Sequence, residues 1–282
     1  MNEILKKESL SPAVKLMVLN CPFIAEKAQA GQFFILRANE LAERIPLTIA
    51  DYDREQGTIT AIFQEMGAST KILGQMEVGD SILDVVGPLG VPSEIEKFDA
   101  PVIVVGGGVG IAPIYPVARA LKEAGNEVIA VIGARNRELI FWEDKLRAVT
   151  DELVICTDDG SYGQKGFVTN AVVDLHTKHG KIACLWAIGP MPMMRAMTNV
   201  TRPLGIKTIV SMNPLMMDGT GMCGACRVQV GNETKFACVD GPEFDGHLVD
   251  FDLALKRLSI YKNEEKRAIA HMEHQGGGCG CH

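Results

Sequence analysis

The sequence predicts an antiparallel β-barrel, then a doubly wound parallel α/β domain of five strands, then a small C-terminal module built around a cysteine loop. Three observations predict it. Short apolar runs of period two, separated by glycines, fill the first third of the chain. From residue 101 onward, continuous apolar strands alternate with helical stretches. Five of the eight cysteines crowd into the last sixty residues, where regular periodicity fades.

Residues 1–97 carry the alternating runs 14–19, 32–36, 58–63 and 81–86, with one short helix near 69–73. A barrel or a sandwich satisfies that pattern. Residues 98–212 read as strand 102–105, helix 114–124, strand 127–132, helix 139–149, strand 153–157, helix 168–179, strand 182–188, helix 191–200 and strand 207–211. Residues 213–247 form a loop rich in glycine, methionine and cysteine, with a short hairpin. Residues 248–282 hold a charged helix at 263–274 and a glycine–cysteine tail. No internal repeat is present.

With 282 residues, 47% of them hydrophobic, the chain is long enough for two domains and an appendage. A net charge of −7 leaves no basic stripe for phosphate backbones, which argues against a nucleic-acid partner. No apolar segment is long enough to span a bilayer, and the charged start Met1 to Glu8 lacks the apolar core of a signal peptide. A cytoplasmic location without membrane contact is expected, and there thiols stay reduced. Cys21, Cys156 and Cys184 stand alone. Cys156 and Cys184 lie in strand-like runs, as core thiols do.

The stretch Gly106-Gly107-Gly108-Val109-Gly110-Ile111-Ala112-Pro113 links the first parallel strand to its helix. Glycines there let a backbone approach a pyrophosphate, and a helix start offers unpaired amides. A tight turn without ligand is the plain alternative. The candidate contacts are Gly107, Gly108, Val109, Gly110 and Pro113. Arg135 ends the second strand and Asp158-Asp159 the third; the acidic pair suits ribose hydroxyls or a solvated turn equally. Arg135 and Arg137 favour a 2′-phosphate and the two aspartates oppose one, so NAD and NADP both stay open. Gly189, Pro190, Met191 and Met194 follow the fourth strand. The proline soon after the last glycine, with Gly133-Ala134-Arg135 and Gly189-Pro190, resembles the ferredoxin–NADP reductase superfamily. That superfamily carries a Cys-Gly-Pro-x-x-Met pattern beside the nicotinamide. Ala187 and Ile188 stand where its cysteine would be, so no thiol role in hydride transfer is expected.

The same resemblance implies FAD on the barrel. Arg44-Ile45-Pro46-Leu47-Thr48 is similar to the superfamily's Arg-x-x-Ser/Thr motif, whose arginine meets the flavin pyrophosphate. A planar cation suits that doubly charged group. Ile62, Phe63 and Gln64 close the next strand. Gly67, Ser69 and Thr70 open the barrel's helix, in the place of a phosphate loop whose second glycine is Ala68 here. Gly87-Pro88-Leu89-Gly90 matches a shared turn before the domain boundary.

The most specific chemistry lies in Asp218-x4-Cys223-x2-Cys226-x11-Cys238. Plant-type [2Fe–2S] loops run Cys-x4-Cys-x2-Cys with a remote fourth cysteine. Asp218 fills the first position, and a carboxylate brings the same single charge as a thiolate with a harder donor. A zinc knuckle, a redox dithiol, or Asp218 as a mere turn residue are the competing readings. The order of barrel, nucleotide domain and cluster loop resembles the electron-transfer subunit of dihydroorotate dehydrogenase. The loop Met217 to Cys226, continued by Cys238-Val239-Asp240-Gly241-Pro242, is still more similar to the small subunits of NADH-dependent reduced ferredoxin:NADP oxidoreductases, also called sulfide dehydrogenases.

That resemblance implies hydride exchange between NAD(H) and FAD and single-electron exchange with the cluster. It also implies a larger iron–sulfur flavoprotein partner that reaches ferredoxin and NADP, with flavin-based electron bifurcation. The cofactors carry the chemistry, so no catalytic side chain is expected. A dihydroorotate-linked subunit and a zinc-bearing nucleotide module are the rivals. Met191, Met193, Met194 and Met197 read as core, and Met212, Met216, Met217 and Met222 as a shield around the cluster. The tail cysteines Cys279 and Cys281, with His282, read as an exposed end or, together with His271 and His274, as a metal tail.

Overall fold

The computed structural model describes residues 2–276, so the tail residues Cys279, Cys281 and His282 lie outside the described residues. The first domain is built from β1 (Ile4–Ser11), β2 (Val14–Asn20), α1 (Pro22–Lys27), β3 (Phe33–Arg37), β4 (Ile45–Thr48), β5 (Asp51–Asp53), β6 (Thr58–Gln64), α2 (Ala68–Gln75) and β7 (Asp84–Leu89). Its strands form two antiparallel sheets, ordered β1-β2-β6-β5 and β4-β3-β7. Inward residues such as Leu19, Phe34, Leu36, Ile59 and Phe63 fill a core between them. Alternation places one face of each strand inside, which is why period two was readable.

The parallel domain follows: β8 (Val102–Gly107), α3 (Ile111–Glu123), β9 (Val128–Ala134), α4 (Glu143–Arg147), β10 (Glu152–Thr157), β11 (Gln164–Lys165), α5 (Val168–His179), β12 (Cys184–Ile188), α6 (Met191–Leu204) and β13 (Lys207–Ser211). Helices on both faces leave every residue of β8 and β12 buried, as an inner parallel strand requires. The last segment adds β14 (Arg227–Val230), β15 (Glu233–Phe236), β16 (Glu243–Asp245), α7 (Phe251–Leu258) and α8 (Lys262–Gly276). The five expected parallel strands are present. The sheet is wider than five, ordered β11-β10-β9-β8-β12-β13-β16, because a short β11 extends one edge and β16 pairs antiparallel with β13 at the other.

Several local expectations change. The barrel domain has a second helix, α1, which starts at Pro22, where a proline's missing N–H costs nothing. The helix expected over 139–149 is a 3-10 turn at Arg137–Leu139 and the short α4, because Trp142 between them adopts a left-handed φ of 58°. Helix α7, capped by the Asp250 side chain accepting from the Leu253 amide, was not expected at all.

Two contacts tie the parts together. Asp51 on β5 receives Arg119 of α3 at 2.7 Å and also pairs with Lys145 of α4, while the Arg119 guanidinium lies over the Tyr52 ring. This partly buried ion pair and cation–π contact lock the barrel sheet to the nucleotide domain. On the other side, the Glu243 carboxylate on β16 accepts from Ser93 Oγ at 2.7 Å and from Trp186 Nε1 at 3.2 Å. One side chain thus joins the interdomain linker, the central strand β12 and the C-terminal module.

Burial pushes the Glu243 carboxyl up to about 7, assisted by the charge of Glu94 and opposed by its two hydrogen bonds. The native state therefore keeps a proton that the unfolded chain, with a glutamate near 4.3, has released. Stability from this group is present below the unfolded value, falls as pH rises toward 7 and is lost above it. Glu243→Gln should cancel that fall, raising stability at pH 8 relative to the native chain by up to about 3 kcal/mol. Thermal midpoints of both proteins across pH 5 to 8 check this; parallel curves would contradict it.

Candidate cofactor-binding site

A single cavity of about 900 Å³ runs along the carboxyl ends of the parallel strands and up against the barrel. Strand β8 has β9 on one side and β12 on the other, so the sheet reverses its winding direction there. Crevices at such switch points are where open α/β sheets bind ligands. The glycine turn forms the floor: Gly107, Gly108, Val109 and Gly110 all line the cavity, with Pro113 behind them. Gly108 has φ +56°, and a Cβ there would meet nothing within 4 Å, so its backbone is bare toward the cavity. Gly110 is the opposite case. A Cβ on it would lie 2.1 Å from the Ile188 carbonyl oxygen, so only glycine lets the start of α3 lie against the end of β12. A bare backbone at a helix start in a broad, largely apolar crevice fits a dinucleotide.

At the β9–β10 end stand Arg135 and Asp158, as expected, together with an exposed aromatic, Phe167. Asp159 does not line the cavity. Its carboxylate accepts from the Ser161 amide at 2.9 Å, which holds it below the usual carboxylate range and makes it a turn residue. At the β12 end, Gly189 and Pro190 line the cavity. Met191 and Met194, by contrast, point into the core at 2% and 0% exposure; the methionine on the cavity wall is Met193. Helical spacing explains this, since residues 191, 194 and 197 share the inward face of α6.

The barrel supplies the other wall through Pro46, Leu47 and Thr48 of β4, Ile62, Phe63 and Gln64 of β6, and Thr70 of α2. Thr70 Oγ1 accepts from the Gly67 amide at 3.0 Å and the Met66 amide at 3.1 Å, which shapes the loop entering α2. Gly67 itself, Ser69 and Arg44 lie off the cavity wall. Ser69 Oγ accepts from the Glu43 amide at 3.0 Å, and half-exposed Arg44 pairs with Asp84 on β7. Strand pairing and an apolar groove with a hydroxyl at its helix entrance fit an extended flavin nucleotide. Phe167, Phe33, Met66 and Met193 were not anticipated on the wall. Two of them left a trace: Phe167 is a lone aromatic directly after a Gly-Gln-Lys-Gly turn, and Gly-Pro-x-x-Met counted from Gly189 ends on Met193.

From β13 the chain lines the cavity through Ser211, Met212, Asn213, Pro214 and Met216, and then enters the cysteine loop. Gly219, with φ +75°, presses against the barrel: a Cβ there would lie 2.6 Å from Ile35 Cδ1 and 2.9 Å from Leu89 Cδ1. Buried Cys226 and Cys238 meet with their sulfurs 3.2 Å apart. Asp218 closes the loop, its two carboxylate oxygens accepting from the Thr220 amide at 2.8 Å and the Cys223 amide at 3.0 Å. The Thr220 amide first, then the Cys223 side chain and amide, hold the Asp218 carboxyl below the usual range. Burial, the Cys226 thiol beside it and the Asp218 charge push Cys238 up to about 12. The four residues therefore sense one another, as Asp218 with Cys223 and Cys226 with Cys238. Among the described residues no three such side chains gather about one point. Two donor pairs fit a binuclear centre, with two ligands to each metal. The other thiols among the described residues lie apart from this loop: Cys21, Cys156 and Cys184 are buried in the hydrophobic cores, where burial raises Cys21 and Cys156 to about 11 and Cys184 to about 12. No helix among the described residues is long and apolar enough to cross a membrane.

A flavin-type barrel, a parallel nucleotide sheet and a cysteine loop define an iron–sulfur flavoprotein reductase. Residues 104–199 match the oxidoreductase NAD-binding domain, and residues 213–250 match the iron–sulfur cluster binding domain of dihydroorotate dehydrogenase B. The chain belongs to the family of dihydroorotate dehydrogenase B electron-transfer subunits and their homologues. It is 48% identical to the electron-transfer subunit homolog of Thermotoga maritima, over 94% of this chain and 93% of that one. It is 34% identical to the electron-transfer subunit of Geobacillus kaustophilus, over 81% and 89%. A solved chain of the NADH-dependent reduced ferredoxin–NADP oxidoreductase, from a study of flavin-based electron bifurcation, superposes with a TM-score of 0.91 at 46% identity, covering 96% of this chain and 98% of that one. FAD, a [2Fe–2S] cluster and NAD(H) are the cofactors of this oxidoreductase subunit.

Gly110→Ala should force β12 and α3 apart and weaken NADH binding about tenfold or more, because a core clash and a lost phosphate approach coincide. Titration calorimetry against NADH checks it; native affinity would show that the turn carries no nucleotide.

Proposed function

We propose that this chain passes electrons between NAD(H), FAD and a [2Fe–2S] cluster, within a complex that couples NADH, ferredoxin and NADP by flavin-based electron bifurcation. One observation carries the reading. The cavity wall runs from the barrel across the glycine turn to residues 211–216, and Asp218 follows Met216 by two residues with no strand or helix between them. Nucleotide and flavin residues thus share one surface, and the proposed cluster loop leads directly off its edge.

In this reading the Gly107–Gly110 backbone and Arg135 hold the dinucleotide, with Asp158 at its ribose. Thr48, the Ile62 to Gln64 strand end and Thr70 hold the flavin, and Arg44 reaches its pyrophosphate only by leaving Asp84. Asp218, Cys223, Cys226 and Cys238 hold the two irons. Bound there, the three groups supply hydride exchange and single-electron transfer. The side chains orient them, exclude water and give up the thiol protons of Cys226 and Cys238 as metal enters. The domain division at 97, 212 and 247 belongs to this proposal, and so does a larger partner subunit reaching ferredoxin.

Identity supports the ferredoxin-linked branch over dihydroorotate oxidation. The Geobacillus subunit, named outright for dihydroorotate, is 34% identical, whereas the bifurcating oxidoreductase chain reaches 46% over nearly its full length. The complex purified anaerobically should reduce NADP with NADH and reduced ferredoxin together and with neither alone; turnover with dihydroorotate would reverse the choice.

The ligand set is tested at its least usual member. Asp218→Ala should lose most of the iron and acid-labile sulfide while FAD content holds. Asp218→Cys should keep the cluster at a shifted potential, because the donor becomes softer and more covalent. Metal analysis and redox titration read this out. An unchanged cluster and potential in both variants would remove Asp218 from the ligand set.

A further inference from the structure

The notch between the glycine turn and the end of β12 holds one flexible side chain. A Cβ on Gly107 would lie 2.2 Å from Met193 Sδ and 3.3 Å from its Cε, and a Cβ on Gly189 would lie 2.8 Å from that Cε. The Met193 thioether therefore fills the space that two missing side chains leave. Gly107 ends β8 and Gly189 follows β12; these neighbouring strands pair through Gly106 and Ile188. That is the switch point of the sheet, where open α/β sheets form their ligand crevice. The backbone of Met193 is fixed, its amide donating to the Pro190 carbonyl at 2.8 Å in the first turn of α6. Its side chain is not: Met191 and Met194 are sealed in the core, while Met193 is partly exposed on the cavity wall. An unbranched thioether changes rotamer without disturbing its neighbours.

Arg135 and Asp158 lie beyond β9 and β10, on the far side of β8 from this notch. A dinucleotide with its adenosine there carries its other end over Gly107 toward β12 and the barrel. We propose that Met193 is a displaceable plug at the nicotinamide end of the crevice, so that it sets affinity for the whole dinucleotide without affecting its ADP-ribose part. Met193 is a positioning residue in this sense: it must swing off Gly107 and Gly189 before the ring can enter. The inference rests on the NAD(H) reading given above.

Binding of NADH and of ADP-ribose to the FAD- and cluster-loaded chain separates the two questions. Met193→Ala should tighten NADH about threefold or more, since the fraction of sites already open rises toward one. Met193→Phe, a bulkier and stiffer group, should weaken NADH about tenfold. ADP-ribose should bind both variants as it binds the native chain, which also shows that the site remains folded. Equal shifts for the two ligands, or no shift for NADH in either variant, would overturn the plug. A native chain that binds neither ligand would overturn the dinucleotide reading itself, and the plug with it.

Discussion

The structure turns on one close contact, where Gly219 lies flat on Ile35 and Leu89. Strands β3 and β7 pair at the barrel's cavity-facing sheet, and their side chains leave no room for a Cβ on the loop above them. A glycine with positive φ satisfies both demands at once. Because of it, the start of the cysteine loop sits directly over the barrel, with Cys226 and Cys238 buried and Cys223 left exposed. On its other flank the module inserts β16 into the nucleotide sheet, so that it is wedged between the two larger domains. This wedge holds the loop against both larger domains by packing alone.

The loop's donors are arranged for a metal centre in pairs. Cys226 and Cys238 lie in a buried site with their sulfurs 3.2 Å apart, and burial raises the Cys238 thiol far above neutral pH. Such a site is costly to hold as free thiolates and favourable once a metal replaces the protons. Asp218 contrasts with it, being half-buried, held below the usual carboxylate range by loop amides and hard in character. In the proposed ligand set, one iron would have sulfur donors deep in the module and the other a mixed set near the surface. That asymmetry distinguishes the two ends of the cluster chemically.

Much of this was legible in the sequence because it rests on short-range patterns. Continuous apolar strands and a glycine turn before a helix each express a local constraint, and each stands where the pattern put it. Long-range contacts left no such trace. Strand β16 is three residues long and gains its identity from pairing with β13; α7 is short and is fixed by its Asp250 cap and by packing. The helix break at Trp142 reflects a left-handed residue that no propensity favours. Within the site, the errors share one cause: spacing names a segment but not the face. Met191 and Met194 sit in the right turn and point inward, whereas Met193 faces the cavity. Arg44 stands beside the right strand and turns to Asp84.

The account stands on two irons held by unlike ligand pairs. Mössbauer spectroscopy of the oxidised, iron-57-enriched protein reads this most directly. The ligand arrangement predicts two ferric quadrupole doublets of equal area, one typical of all-sulfur coordination and the other shifted by an oxygen donor. A single doublet from two equivalent sites, or a preparation holding zinc in place of iron, would contradict it.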